Sequence, residues 1–203
     1  MNYRVKEIFY SIQGEGHHAG RPATFCRFSG CNLWSGKEQD RHKAICKFCD
    51  TDFVGGDIYE TAEELADAIA AFWKTKQHRF VVLTGGEPSM QVDYALLTAL
   101  KERHFYIAIE TNGTRETLTG VDWICVSPKA GTYIAQDCGD ELKLVYPQNG
   151  IDPASYEGMR FHRFSLQPEY SDRERATAKA IAYCLEHPKW NVSLQTHKLM
   201  GVR

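Results

Sequence analysis

Three cysteines stand at a spacing suited to metal: Cys31-x14-Cys46-x2-Cys49, followed at once by Asp50 and Thr51. Three clustered thiolates can hold three irons of a 4Fe–4S cube and leave the fourth iron without a protein ligand. An open iron is useful only where a substrate or cofactor must bind it. The CxxC pair also suits structural zinc, which would take a fourth ligand from His42, His17 or His18. On the cysteines alone the two metals stay equally open. Of the remaining four cysteines, Cys26 and Cys125 lie in apolar, strand-like runs and Cys184 on the inner face of an expected helix, so each reads as a small buried hydrophobe. Cys138 falls in a loop-like stretch with no role to assign. Seven cysteines cannot pair completely within one chain, and clustered thiols in a reducing compartment read as metal ligands rather than disulfides.

Polar motifs recur where short apolar runs end. Thr84-Gly-Gly-Glu-Pro88 follows the run 80–83, Glu110-Thr-Asn-Gly113 follows 106–109, and Ser127-Pro-Lys129 follows 123–126. Gln167-Pro168 and Gln195-Thr-His-Lys198 follow the weaker runs 164–166 and 191–194, and 142–145 is a further weak strand. Between them lie helix signals. Thr61-Ala-Glu-Glu64 is a capping box ahead of Leu65, Ala68, Ile69 and Phe72 at helical spacing. Residues 92–103 carry Leu96, Leu97 and Leu100 inward. A second box, Ser171-Asp-Arg-Glu174, opens a helix with Ala180, Ile181, Cys184 and Leu185 on one face, ended by Pro188. Strands alternating with helices predict a parallel sheet with helical crossovers. In such sheets ligands sit beyond the carboxyl ends of the strands, so five motifs at five ends should converge on one mouth. The glycines after 80–83 would let a ligand approach the backbone, and Glu87 can accept hydrogen bonds from an ammonium group.

The 203 residues suit a single domain, with a cluster-binding loop at about 29–52. A formal net charge of -2 with 25% charged residues gives no reason to expect nucleic acid or membrane partners. The first residues carry no apolar targeting core and no run would span a bilayer, which predicts a cytoplasmic protein.

The cysteine set followed by GGEP resembles the radical S-adenosylmethionine superfamily, in which GGEP contacts the amino group of the cofactor's methionine. Ser11-Ile-Gln-Gly-Glu-Gly16, Phe25-Cys-Arg-Phe28, Gly30-Cys-Asn-Leu-Trp34, Phe48-Cys-Asp-Thr51 and the closing Gln195-Thr-His-Lys198 make the whole chain similar to the 7-carboxy-7-deazaguanine synthase family. The usual superfamily spacing is C-x3-C-x2-C. Here the first gap is a charged insertion, residues 37–43, of a kind some family members share.

The resemblance implies an α/β fold, a shortened, incomplete TIM-like barrel of about six parallel strands with helical crossovers, forming a homodimer. It implies conversion of 6-carboxy-5,6,7,8-tetrahydropterin to 7-carboxy-7-deazaguanine with loss of ammonia, through a 5′-deoxyadenosyl radical that takes hydrogen from carbon 6 of the pterin. Cys31, Cys46 and Cys49 would ligate the 4Fe–4S cluster, and a reducing donor such as flavodoxin would supply electrons. S-adenosyl-L-methionine would lie against Phe48, Asp50, Gly86, Glu87, Ser127, Pro128, Lys129, Gln167, Pro168, Glu169 and Tyr170. The pterin would be held by Ile12, Gln13, Gly14, Arg27, Thr84 and Arg203, with Glu15 and His197 as further contacts, and Thr51 would bind magnesium. These residue types suit the task. Arg27 offers a planar donor fork to a carboxylate, Gln13 offers mixed donors and acceptors to a pterin edge, and magnesium prefers hard oxygen. A glycyl-radical activating enzyme shares the cysteine and GGEP motifs but acts on a protein and lacks the QGEG opening and QTHK close. A zinc-stabilised binding module without catalysis is the third reading.

Overall fold

A computed structural model describes residues 2–170 and 172–203. A single nine-stranded sheet organises it, in the order β3-β1-β2-β4-β5-β6-β7-β8-β9. β1 (Tyr3–Ile12) pairs antiparallel with β2 (Pro22–Phe28) and with the short β3 (Asp57–Tyr59). β2 then begins a parallel series through β4 (Phe80–Gly85), β5 (Tyr106–Thr111), β6 (Trp123–Val126), β7 (Cys138–Tyr146), β8 (Arg160–Pro168) and β9 (Trp190–Val192). The parallel part thus has seven strands where about six were expected, and the antiparallel pair β1 and β3 extends one edge. Among the described residues β3 and β9 do not pair with each other, so the sheet stays open.

Side chains along a strand alternate between faces, and here each face has its own chemistry. Val81 and Leu83, Ile107 and Ile109, and Cys26 and Phe28 point outward into one apolar cluster under α1 (Ala62–Ala70) and α2 (Tyr94–Glu102). Leu142, Leu144, Phe164 and Leu166 do the same under α3 (Arg173–Glu186). The opposite face carries Glu7, Phe9, Phe25, Arg27, Val82, Thr84 and Glu110, which line a cavity. It continues with Glu141, Lys143, Ser165 and Gln167, all buried. The turn after β1 fills the inside of the curl. His17 N donates to Glu141 on β7 (3.0 Å) and Gly16 N to Ser193 Oγ just past β9 (2.8 Å), ties that cross the inside of the curl.

The helix signals hold with local changes. Thr61 Oγ1 accepts from Glu64 N (3.1 Å), but the Glu64 carboxylate reaches Glu60 N (2.8 Å) rather than the cap's own N–H. α1 ends at Ala70, so Phe72 lies beyond it, 42% exposed. Asp93 caps α2, with Leu96, Leu97 and Leu100 buried as expected. α3 departs further. Its expected cap, Ser171, lies outside the described residues. The buried face is Ala176 and Ala180, while Leu185 is 79% exposed and Ile181 also faces solvent. Two alanines let the helix lie close on β8, and that contact, rather than the larger side chains, sets its rotation.

The β4 turn depends on two glycines that meet backbone. A Cβ on Gly85 (φ +131) would stand 2.2 Å from Phe28 O, and one on Gly86 1.9 Å from Gly30 O. Gly85→Ala combines a strained conformation with that collision and should cost at least about 1–3 kcal/mol. Gly158→Ala, with open space around it, should stay within about 0.5 kcal/mol. Equal urea midpoints for the two variants would contradict this account of the turn.

Candidate active site

The carboxyl ends of the parallel strands open into two adjoining cavities. The first, about 460 Å³, is lined by Ile12, Gln13, Gly14, Glu15, Arg27, Thr84, His197 and Arg203. Those are the residues that the family resemblance placed around a pterin. The second, about 500 Å³, is lined by Cys46, Phe48, Cys49, Lys129, Gln167, Pro168, Glu169 and Tyr170. Glu15, Asp50, Thr51 and Gln195 belong to both linings and form the shared wall.

Charge in the first cavity is ordered. On the β1–β2 side, Arg27 Nε pairs with Glu7 (2.9 Å) and Arg203 pairs with the same carboxylate, while Phe9 and Phe25 stack at 5.0 Å beside them. Arg27 spends only Nε on Glu7, so its terminal nitrogens remain to meet an anion. On the β5–β7 side, buried Lys143 bridges Glu15 (2.7 Å) and Glu110 (3.0 Å). Burial alone would raise the Glu15 carboxyl. The Lys143 ammonium, with hydrogen bonds from Lys143 and Gln195, overcomes it and brings it down to about 2. Burial holds His197 below the ordinary imidazole range, with Glu15 opposing. The closing segment, including α4 (Thr196–Met200), is anchored over the cavity through Thr196 N to Gly14 O (2.8 Å) and Ser11 Oγ to Arg203 O (2.6 Å).

The cysteine loop packs on its own small core of Trp34, Ala44 and Phe53, against which Cys31 and Cys49 lie. Leu33 N donates to the Cys31 sulfur (3.4 Å). Burial pushes the Cys31 thiol up. A hydrogen bond from Cys46, then the Thr51 N–H and hydroxyl, favour a thiolate on Cys49. Lys129 stands near both sulfurs and donates to Ser127 O (2.5 Å) and Ser127 Oγ (2.8 Å). The loop is docked by Gly86 N to Phe28 O (3.0 Å), Glu87 N to Gly30 O (2.9 Å) and Asn112 Nδ2 to Asn32 Oδ1 (3.0 Å).

GGEP also has a part in holding the frame. Gly85 admits the end of β2 at Phe28, and Gly86 the cysteine loop's backbone at Gly30 and Cys31. Glu87 is 0% exposed and accepts from Thr111 Oγ1 (2.7 Å), Asn112 N (2.8 Å) and Ser89 N (3.0 Å). Its carboxylate faces the end of β5 and lines neither cavity, nor do Gly86, Ser127 and Pro128. The zinc reading loses its fourth ligands. His17 stacks on Trp123 at 4.8 Å and His18 packs on Trp123 at 4.5 Å, at the amino ends of the strands, and His42, exposed on the short turn at Glu38–Lys43, joins no group of ligands among the described residues. Among the described residues, no three His, Cys, Asp or Glu side chains crowd closely enough to grip one metal ion.

Residues 41–138 match the model of the radical SAM superfamily. A 7-carboxy-7-deazaguanine synthase of Bradyrhizobium diazoefficiens is 58% identical, covering all of both chains. Those of Caulobacter vibrioides and Bacteroides thetaiotaomicron are 56% and 41% identical, again over all of both chains. The chain belongs to the 7-carboxy-7-deazaguanine synthase family. A crystal structure of QueE from Escherichia coli shares the fold with a TM-score of 0.70 and 23% identity, covering 96% of this chain and 94% of that one.

Family membership implies a 4Fe–4S cluster and S-adenosylmethionine, and the residues present fit both. Three thiols gathered without an imidazole suit three-point ligation of a cluster, and the second cavity opens directly beside two of them. No helix among the described residues is long and apolar enough to cross a membrane. Several residues at the synthase site went unread in the sequence. Glu7 sits in β1, which the apolar-run reading passed over, and Glu110 and Gln195 were seen only as motif members. Lys143 was missed although Glu141-Leu-Lys-Leu-Val145 alternates polar and apolar, a signal that one face is polar and buried.

Because Glu87 is spent inside the protein, Glu87→Gln should act first on folding. It replaces an acceptor oxygen with an amide that faces backbone donors, a cost of about 1–3 kcal/mol. Urea melts of the protein before cluster loading read this directly, and an unchanged midpoint would mean that the carboxylate is not needed there.

Proposed function

We propose that the chain converts 6-carboxy-5,6,7,8-tetrahydropterin to 7-carboxy-7-deazaguanine with release of ammonia, residues 1–203 acting as one radical S-adenosylmethionine domain. The observation that carries this reading is the pair of adjoining cavities with a common wall, one lined by cysteines and the other by an ordered set of polar and charged groups. When bound, the cluster and S-adenosylmethionine supply the one-electron chemistry.

The chain's own residues bind, orient and shield. Cys31, Cys46 and Cys49 hold the cluster. Phe48, Asp50, Gly86, Glu87, Ser127, Pro128, Lys129 and the segment Gln167-Pro168-Glu169-Tyr170 receive S-adenosylmethionine. Arg27 takes the substrate carboxylate through its free nitrogens. Gln13, the backbone of Ile12 and Gly14, Thr84, His197 and Arg203 contact the ring system. Thr51, on the shared wall, is placed to give magnesium one hard oxygen, the substrate and water completing its shell. The ion pair of Lys198 with Asp50 (3.1 Å), and the same ammonium 3.6 Å from the Tyr170 ring, fasten the closing segment across the wall and limit water entry. A cytoplasmic homodimer reduced by a flavodoxin-like donor completes the reading.

The test is anaerobic turnover of cluster-loaded protein with reductant, S-adenosylmethionine, magnesium and 6-carboxytetrahydropterin, followed by mass spectrometry. A product lighter by one ammonia is expected, and Cys46→Ala should bind little iron and form none. An intact pterin in the presence of a full cluster would defeat the reading. If 5′-deoxyadenosine formed all the same, a glycyl-radical activating activity would take its place. Arg27→Lys replaces a fork with a point charge and should raise KM for the pterin roughly tenfold or more. A KM within twofold of the parent would remove Arg27 from the carboxylate site.

A further inference from the structure

Lys143 lies at the middle of β7 on the inner face, with 5% of its side chain exposed. A lysine so deeply buried must be compensated, and this one bridges two carboxylates from distant parts of the chain. Glu15 comes from the turn after β1 and Glu110 from the end of β5, and both line the first cavity. The oxygens of Glu15 are taken by Lys143 and by Gln195 Nε2 (2.8 Å). Glu110 meets Lys143 and the Cys125 thiol from the neighbouring strand, which leaves it acceptor capacity toward the cavity. Across the same cavity stand Arg27 and Arg203.

An aminopyrimidinone ring carries a ring N–H and an exocyclic amino group side by side, a donor edge that an ionised carboxylate matches with two acceptor oxygens. Two carboxylates set close together without a cation repel, and one takes up a proton. A protonated carboxyl would then turn a donor toward a donor edge. Lys143 prevents this by standing between them.

Resting on the pterin reading above, we propose that Lys143 is a positioning residue for substrate recognition: it clamps Glu15 and Glu110 side by side on the cavity floor, so that Glu110 presents an ionised carboxylate to the N–H edge of the aminopyrimidinone. The Lys143 ammonium brings Glu15 down to about 2 against its burial; burial, Glu15 and Glu141 push Glu110 up, and Lys143 is the cation that opposes them. Burial works against the Lys143 ammonium, but Glu110, Glu15 and Glu141 more than offset it. The cavity is then ordered, with Glu110 at the ring's donor edge and the free nitrogens of Arg27 at its carboxylate, an arrangement that favours one orientation of the substrate.

Cluster-loaded Lys143→Met, Lys143→Arg and Glu110→Gln proteins test the proposal, through separate KM values for 6-carboxytetrahydropterin and S-adenosylmethionine. Lys143→Met and Glu110→Gln should each raise the pterin KM at least tenfold and leave the S-adenosylmethionine KM within twofold. Lys143→Arg should recover most of the loss. A pterin KM that does not move, or an S-adenosylmethionine KM that rises equally, overturns the proposal. Should Lys143→Met fail to hold a cluster, Glu110→Gln decides alone, since it keeps Lys143 and the side-chain volume. A parent protein that leaves the pterin intact would instead defeat the functional reading, an outcome seen before any variant is compared.

Discussion

A sheet that must bury both faces has to satisfy every polar group it turns inward, and this requirement shapes most of the molecule. The outward face is met by apolar contact with α1, α2 and α3. The inward face carries Glu7, Arg27, Glu110, Glu141 and Lys143, none of which can be left unpaired in a low-dielectric interior. Their partners come from elsewhere in the chain. Glu141 is met by Ser165 Oγ (2.6 Å) and by the turn after β1, and Lys143 by that turn and by β5. The curl of the open sheet therefore follows in part from electrostatics: the turn after β1 is tied to β7 through polar side chains, and among the described residues no strand pair closes the sheet.

The same economy governs the cysteine loop. Nothing in the loop is helical beyond a short 3-10 turn at Glu38–Lys43, and its own core is three side chains. It is placed by docking on the turn after β4 and the turn after β5, through backbone approach at Gly86 and the amide pair Asn32–Asn112. Glu87 then fixes those two turns to each other. Glu87, whose type suggests ligand contact, thus also holds the frame on which the site is mounted.

That division explains which parts of the site can be read from sequence. Motifs made of neighbours, such as Cys46-x2-Cys49, Thr84-Gly-Gly-Glu-Pro88 and Gln195-Thr-His-Lys198, stand out because chemistry and spacing are local. The alternation of strands and helices after residue 60 is legible for the same reason: parallel strands buried on both faces read as short apolar runs. β1 is not legible in this way, since Tyr3–Ile12 mixes Tyr, Val and Ile with Arg, Lys and Glu. Its polarity becomes intelligible once one of its faces is seen to line a charged cavity. Lys143 and Glu7 are lost similarly. Each is one of several charged residues in its strand, and its meaning lies in partners more than a hundred residues away or on a strand reached through a turn.

Polarity across the cavity also bears on why the closing segment carries so many polar ties. Gln195 reaches Glu15, Lys198 reaches Asp50, and Arg203 shares Glu7 with Arg27. Each tie ends on a residue of the first cavity's lining, so the segment cannot lift without exposing one of the carboxylates that order it. Exposed ion pairs of this kind contribute little to stability individually. Their number and common direction give the cover a single seated position. A tightly apolar seal would hold the cover more firmly but would offer no matching groups to a charged, hydrogen-bonding substrate. The inward-facing charges that the sheet must satisfy in any case thus serve twice, as the seat of the cover and as the lining that receives the ligand.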